Sequence, residues 1–159
     1  MTTVGAPLRL SEFRGKALVV EFLLTEGPHC QETARVLEKL QREHRARGLQ
    51  AIAVAFNPDA PAKAPELIKK LGLSFPAGTA SQLSVFQYLQ LSFMKQYSVP
   101  LLAFVDRNGV LRAQFTGDAP FFTNTEASMR SNIDALLNRG SAGGTAAASE
   151  SKSPQRKRN

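Results

Sequence analysis

The run Ala17–Leu24, ALVVEFLL, constrains the fold of this chain more than any other stretch. A nearly unbroken apolar segment rich in Val and Leu fits a strand buried on both faces, and such strands belong to parallel sheets covered by helices. A Gly27-Pro28 break follows. Cys30–Arg47 then sets Val36, Leu37 and Leu40 on one stripe among Gln, Glu, Lys and Arg, with Gly48 as the stop, which is the pattern of a surface helix. Gln50–Phe56, QAIAVAF, reads as a second buried strand closed by Asn57-Pro58. Strand, helix and strand make a βαβ unit, whose crossover is expected to be right-handed.

Further along, Pro65–Leu71 reads as a short helix ending at Gly72, and Phe75-Pro76-Ala77 as a brief extended piece. Gln82–Gln96 reads as a helix able to turn Leu83, Phe86, Leu89 or Leu91, and Phe93 inward. Leu101–Asp106 and Val110–Phe115 flank Arg107-Asn108-Gly109, and Asn-Gly between two apolar runs signals a hairpin. A last helix over Asn124–Asn138 carries Met129, Ile133, Leu136 and Leu137. The expected order is β-α-β-α-α-β-β-α, an α/β fold with a central mixed sheet flanked by helices on both faces. Residues 1–139 form that domain. From Gly140 the composition shifts to Gly, Ala and Ser and ends in SKSPQRKRN, so residues 140–159 are expected to be a disordered tail with a basic end.

At 159 residues, with 43% hydrophobic content, the chain can build one core without staples. Its single cysteine, Cys30, excludes an intramolecular disulfide and a four-cysteine zinc site, so any redox chemistry is intermolecular. The two histidines and one cysteine lack metal-ligand spacing, and no cofactor is implied. Of the net charge of +7, the final twenty residues supply a surplus of three. The remainder is modest; it suits solubility as well as an acidic partner and does not by itself argue for nucleic acid, which is not an expected partner. No apolar run is long enough to span a bilayer, and the opening MTTVGAPLRL has no signal-peptide pattern, so the sequence as written is expected to be cytoplasmic. No Gly-rich phosphate loop or Ser-His-Asp order points to another enzyme class.

In an open α/β sheet the reactive position lies beyond the carboxyl end of a strand, where the next helix begins. Here that is Thr25-Glu26-Gly27-Pro28-His29-Cys30. At this point the sequence resembles the thioredoxins, and especially the TlpA-like redoxins, whose first strand leads into Cys-Pro-X-Cys at a helix start. Leu10–Lys16, LSEFRGK, is similar to the redoxin lead-in. Glu21 stands where thioredoxins keep a buried acid, and Val99-Pro100 resembles the cis-proline loop. Asp106-Arg107-Asn108-Gly109 matches the family's Asp-x-x-Gly hairpin. The resemblance covers about residues 8–138.

What it implies is a thioredoxin-like fold and an ancestry in thiol–disulfide exchange. Gly27 replaces the attacking cysteine, and Cys30 aligns with the resolving thiol, so the dithiol cycle is not available to this chain alone. Leu23 and Glu26 replace the aromatic residues that flank the thioredoxin motif, and Thr33 stands where the TlpA-like group often has glutamate. These redoxins begin with an extra strand pair, so the recorded start is expected to be internal to a longer protein, one of a family often found outside the cytoplasm. Thr25 and Cys30 have the wrong spacing for a peroxidatic Thr-x-x-Cys.

The candidate catalytic residues are Cys30, Glu21 and His29. Cys30 is a candidate monothiol for exchange with protein or peptide thiols and disulfides, or with glutathione, tuned by His29; the competing expectation is an inert core thiol. Glu21 is a candidate proton shuttle for Cys30; the alternative is that it pairs with a lysine such as Lys16 or reaches solvent. Gly27, Pro28, Val99 and Pro100 form the candidate substrate groove, able to bind an extended peptide even without redox chemistry. His44, on the polar side of its helix, is expected to be solvated.

Overall fold

A computed structural model describes residues 8–141 and 156–157. Its chain order is β1 (Ala17–Leu23), α1 (Pro28–His44), β2 (Leu49–Ala55), α2 (Ala60–Leu71), β3 (Ala77–Thr79), α3 (Gln82–Leu89), β4 (Leu101–Val105), β5 (Val110–Phe115), α4 (Thr125–Ser141) and the two-residue β6 (Arg156–Lys157). The sheet order is β3-β2-β1-β4-β5-β6. β1 runs parallel to β2 and antiparallel to β4, and β4 to β5, so the sheet is mixed.

β1 is buried along its whole length, as its apolar run requires. Its residues alternate between two cores. Ala17, Val19 and Leu23 pack with Leu37 and Leu40 of α1 and with Met129, Ile133 and Leu136 of α4. Leu18, Val20 and Phe22 face the other way, against Val85, Phe86 and Leu89 of α3. Fully burying side chains of this size contributes about 1.5–3 kcal/mol each. The hairpin closes as expected: Oδ1 of Asp106 accepts from the amides of Asn108 (2.9 Å) and Val110 (3.0 Å), and Gly109 takes the left-handed φ of 85°.

Several expectations need correction. The short β3 pairs with β2 between α2 and α3, a strand missing from the expected order. α2 begins at Ala60 rather than Pro65, because Pro61 sits in the first turn, where no N–H is needed, and Asp59 O accepts from Ala62 and Lys63. α3 stops at Leu89, far short of Gln96. Gln90 takes a left-handed conformation (φ 56°), and the Leu91 amide bonds back to Phe86 O at 2.9 Å, a helix stop made without Gly or Pro. Leu83 and Phe93 are therefore not core residues; they are 54% and 53% exposed.

His44 is buried, not solvated: its Nδ1 lies 2.9 Å from Leu40 O. Gln41 beside it is buried too, donating to Leu49 O (3.0 Å) and accepting from the Ala51 amide. The side of α1 that reads as polar thus meets β2 through hydrogen bonds. The expected disordered tail lies outside the described residues, except that Gly140 and Ser141 continue α4 and Arg156–Lys157 pair with Leu111 and Val110.

Candidate functional site

The carboxyl end of β1 turns into α1 through Leu24–Gly27. Gly27 caps the helix with extended backbone (φ −81°, ψ 120°) and no side chain to satisfy the first amides; its carbonyl accepts from Gln31 N at 3.0 Å. Pro28 occupies the first helical position, where its missing N–H costs nothing. The turn is clamped to the loop after β2: Thr25 N donates to Asn57 Oδ1 and Asn57 Nδ2 to Thr25 Oγ1, each at 3.0 Å. Gln31 Nε2 adds a bond to Thr25 O at 3.0 Å, and Thr33 Oγ1 donates to His29 O at 2.9 Å.

Cys30 is 0% exposed and packs inside the core between α1, α4 and the sheet. Burial pushes its thiol pKa up to about 12; a hydrogen bond from the Leu24 backbone opposes the shift, and the nearby Glu21 carboxylate adds to it. A Cβ placed on Gly27 would lie 3.2 Å from the Cys30 sulfur and 3.6 Å from its Cβ. Glu21 is also 0% exposed, on the same face of β1, with Ala53 and Leu102 as its neighbours across the sheet. Among the described residues neither carboxylate oxygen has a hydrogen-bond partner, and burial holds its pKa well above the ordinary value. The alternatives of a pairing with Lys16 or of a reach to solvent are therefore overturned. A carboxyl with no counter-charge in an apolar layer is held protonated.

His29 is exposed, with its ring edge-on to Phe122 at 4.8 Å between centroids. The Val99–Pro100 peptide bond is cis. Because Phe22 pairs with Leu101, the residues following β1 and those preceding β4 emerge at one end of the sheet on neighbouring strands. Val99 is half-buried and packs against the core that holds Cys30, while Pro100 is buried. Among the described residues neither backbone group of Val99 makes a hydrogen bond, whereas Ser98 O accepts from Gly117 N at 2.7 Å. A Cβ on Gly117 would stand 2.5 Å from Val99 O, so only glycine lets the two backbones approach this closely. Glu21, Gly27, Pro28, His29, Cys30, Val99 and Pro100 thus gather at one end of the sheet.

Sequence reading missed Asn57, Phe122 and Gly117. In the sequence Asn57 marks only the close of a strand before Pro58, and nothing there signals its side-chain bonds to Thr25. Phe122 and Gly117 lie outside any periodic pattern. An open cleft of about 640 Å³ adjoins the turn between α1 and α2, bordered by Glu26, Gln31, Lys63 and Lys70. Among the described residues no cluster of His, Cys, Asp and Glu is placed to hold a metal ion, and no helix is long and apolar enough to cross a membrane.

This fold and its strand-to-helix turn define a thioredoxin-like protein. The chain belongs to the redoxin family, whose profile matches residues 1–137. Solved structures of the same fold include a thioredoxin-family thiol:disulfide interchange protein from Chlorobium tepidum, 19% identical over 86% of this chain and 90% of that one, TM-score 0.70. A secreted Mycobacterium tuberculosis disulfide oxidoreductase homologous to Escherichia coli DsbE is 17% identical over 86% and 93%, TM-score 0.66. The M. tuberculosis DsbF is 22% identical over 85% and 91%, TM-score 0.67. No curated protein sequence matches this chain.

Proposed function

We propose that this redoxin descends from thiol–disulfide oxidoreductases of the TlpA-like branch, with Gly27 at the position of the attacking cysteine, so that monothiol exchange is the most it can perform. One observation carries this reading. The Cβ position at Gly27 falls 3.6 Å from the Cys30 Cβ, inside the spacing of about 3.5–4.5 Å found across disulfides. That spacing supports reading the turn as a two-cysteine site with one cysteine absent. Protein or peptide thiols and disulfides are the substrate class that this ancestry favours.

Burial of Cys30 favours a second reading: a non-catalytic module that binds an extended peptide beside Val99 and Pro100. The unpaired N–H and C=O of half-buried Val99 supply the edge groups such a peptide would pair with. Insulin reduction tests the first reading, and no turnover is expected with dithiothreitol-reduced protein. Incubation with glutathione disulfide separates the two readings: one glutathione added to the native protein supports monothiol exchange, while addition only in denaturant supports the binding module. Full dithiol turnover would show that the chemistry does not run through the Gly27–Cys30 pair.

A further inference from the structure

Positive charge collects at the end of the sheet opposite Cys30. Three segments meet there: the start of β1, the end of α1 and the β4–β5 hairpin. Arg107 in the hairpin ties them together, donating to Gly15 O at 3.2 Å and to Arg47 O at 3.1 Å, while Gly15 N returns a bond to Arg107 O at 2.8 Å. Lys16 and Arg45 flank this knot. Both are exposed, and neither forms an ion pair with a described residue. The acids at this pole are few. Asp106 is held by Arg112 at 2.7 Å, Asp134 lies 3.2 Å from Arg47, and Glu12 is exposed. The β5–β6 pairing sets Arg156 opposite Leu111 and Lys157 opposite Val110, which brings two more basic positions beside the hairpin.

We propose that this basic pole docks the protein on an anionic lipid surface. Lys16 at the start of β1, Arg45 and Arg47 in the turn that ends α1, and Arg107 in the hairpin belong to three segments that meet at this one end of the sheet. Clustered Lys and Arg residues bind anionic lipid through additive, salt-sensitive attraction. Among the described residues no exposed aromatic side chain lies among these cations to stack on a base, which disfavours single-stranded nucleic acid. β1 spans seven residues, about 20 Å, so docking by this pole would hold the Gly27–Cys30 turn away from the lipid.

Sedimentation of the full chain with phosphatidylcholine vesicles, with and without phosphatidylglycerol, tests the proposal. Binding is expected only with the anionic lipid and is expected to vanish at high salt. The double variant Lys16→Gln/Arg45→Gln should weaken it about 25-fold, from roughly fivefold per cation. Lys69→Gln/Lys95→Gln removes the same charge from exposed positions elsewhere and should leave binding nearly unchanged. Circular dichroism of both variants checks that they fold. Equal loss in the two variants, full retention in the first, equal binding to neutral vesicles, or tighter binding to a single-stranded RNA at the same salt would each overturn the proposal.

Discussion

Gly27→Cys is expected to convert this chain into a dithiol protein. The backbone at residue 27 is ordinary extended conformation, so a side chain brings no backbone strain. Its Cβ would already stand 3.6 Å from that of Cys30, and the 3.2 Å approach to the Cys30 sulfur is relieved when the two sulfurs bond. The new thiol would cap a helix whose first turn has no side-chain acceptor, and thiolates at helix starts are stabilised there. Under mild oxidant, intact mass should show the loss of two hydrogens and Cys30 should become resistant to alkylation in denaturant. Insulin reduction should rise from nothing to a measurable rate. A variant that folds yet stays reduced would refute the assignment of this turn as a two-cysteine frame.

The second large effect concerns Glu21. Burial without a partner raises its folded-state pKa, so between the ordinary value of 4.5 and that higher value the folded chain holds a proton that the unfolded chain has released. Stability is therefore fully present below about 4.5 and declines as pH rises through the window, by about 1.4 kcal/mol for each pH unit. Glu21→Gln removes the titration while keeping nearly the same shape. Urea denaturation should find the two proteins similar near pH 4.5, and the variant increasingly the more stable of the two as pH rises above that value. A parent protein whose stability climbs across that range, or a variant less stable at the upper end, would mean that Glu21 is charged and paired in solution.

Much of this architecture is legible in the sequence because the strongest signals are local. The β1 run, the α1 stripe, the Asn-Gly hairpin and the α4 stripe of Met129, Ile133, Leu136 and Leu137 each satisfy one periodic rule, and all lie where that rule puts them. What escaped depends on distant partners. Gln41 is buried because Leu49 and Ala51 offer it backbone groups, and His44 bonds the carbonyl of Leu40, so polarity alone misplaces both. The end of α3 rests on a glutamine in the left-handed region, a conformation that glycine would have announced. At the site, Gly27, Cys30 and Val99-Pro100 follow from resemblance. The clamp of Asn57 on Thr25 and the approach of Gly117 to Val99 need the folded chain. The depth of Cys30 is likewise a tertiary property, since the same residue one turn nearer the surface would be open to chemistry.

Alkylation of Cys30 by iodoacetamide, followed by mass spectrometry across pH, measures that depth directly. With the thiol pKa pushed up to about 12, labelling of the native chain should stay slow from about pH 7 to about pH 10 and become rapid in denaturant. Fast native labelling with a midpoint near or below about pH 7 would contradict this account and mark Cys30 as a working nucleophile.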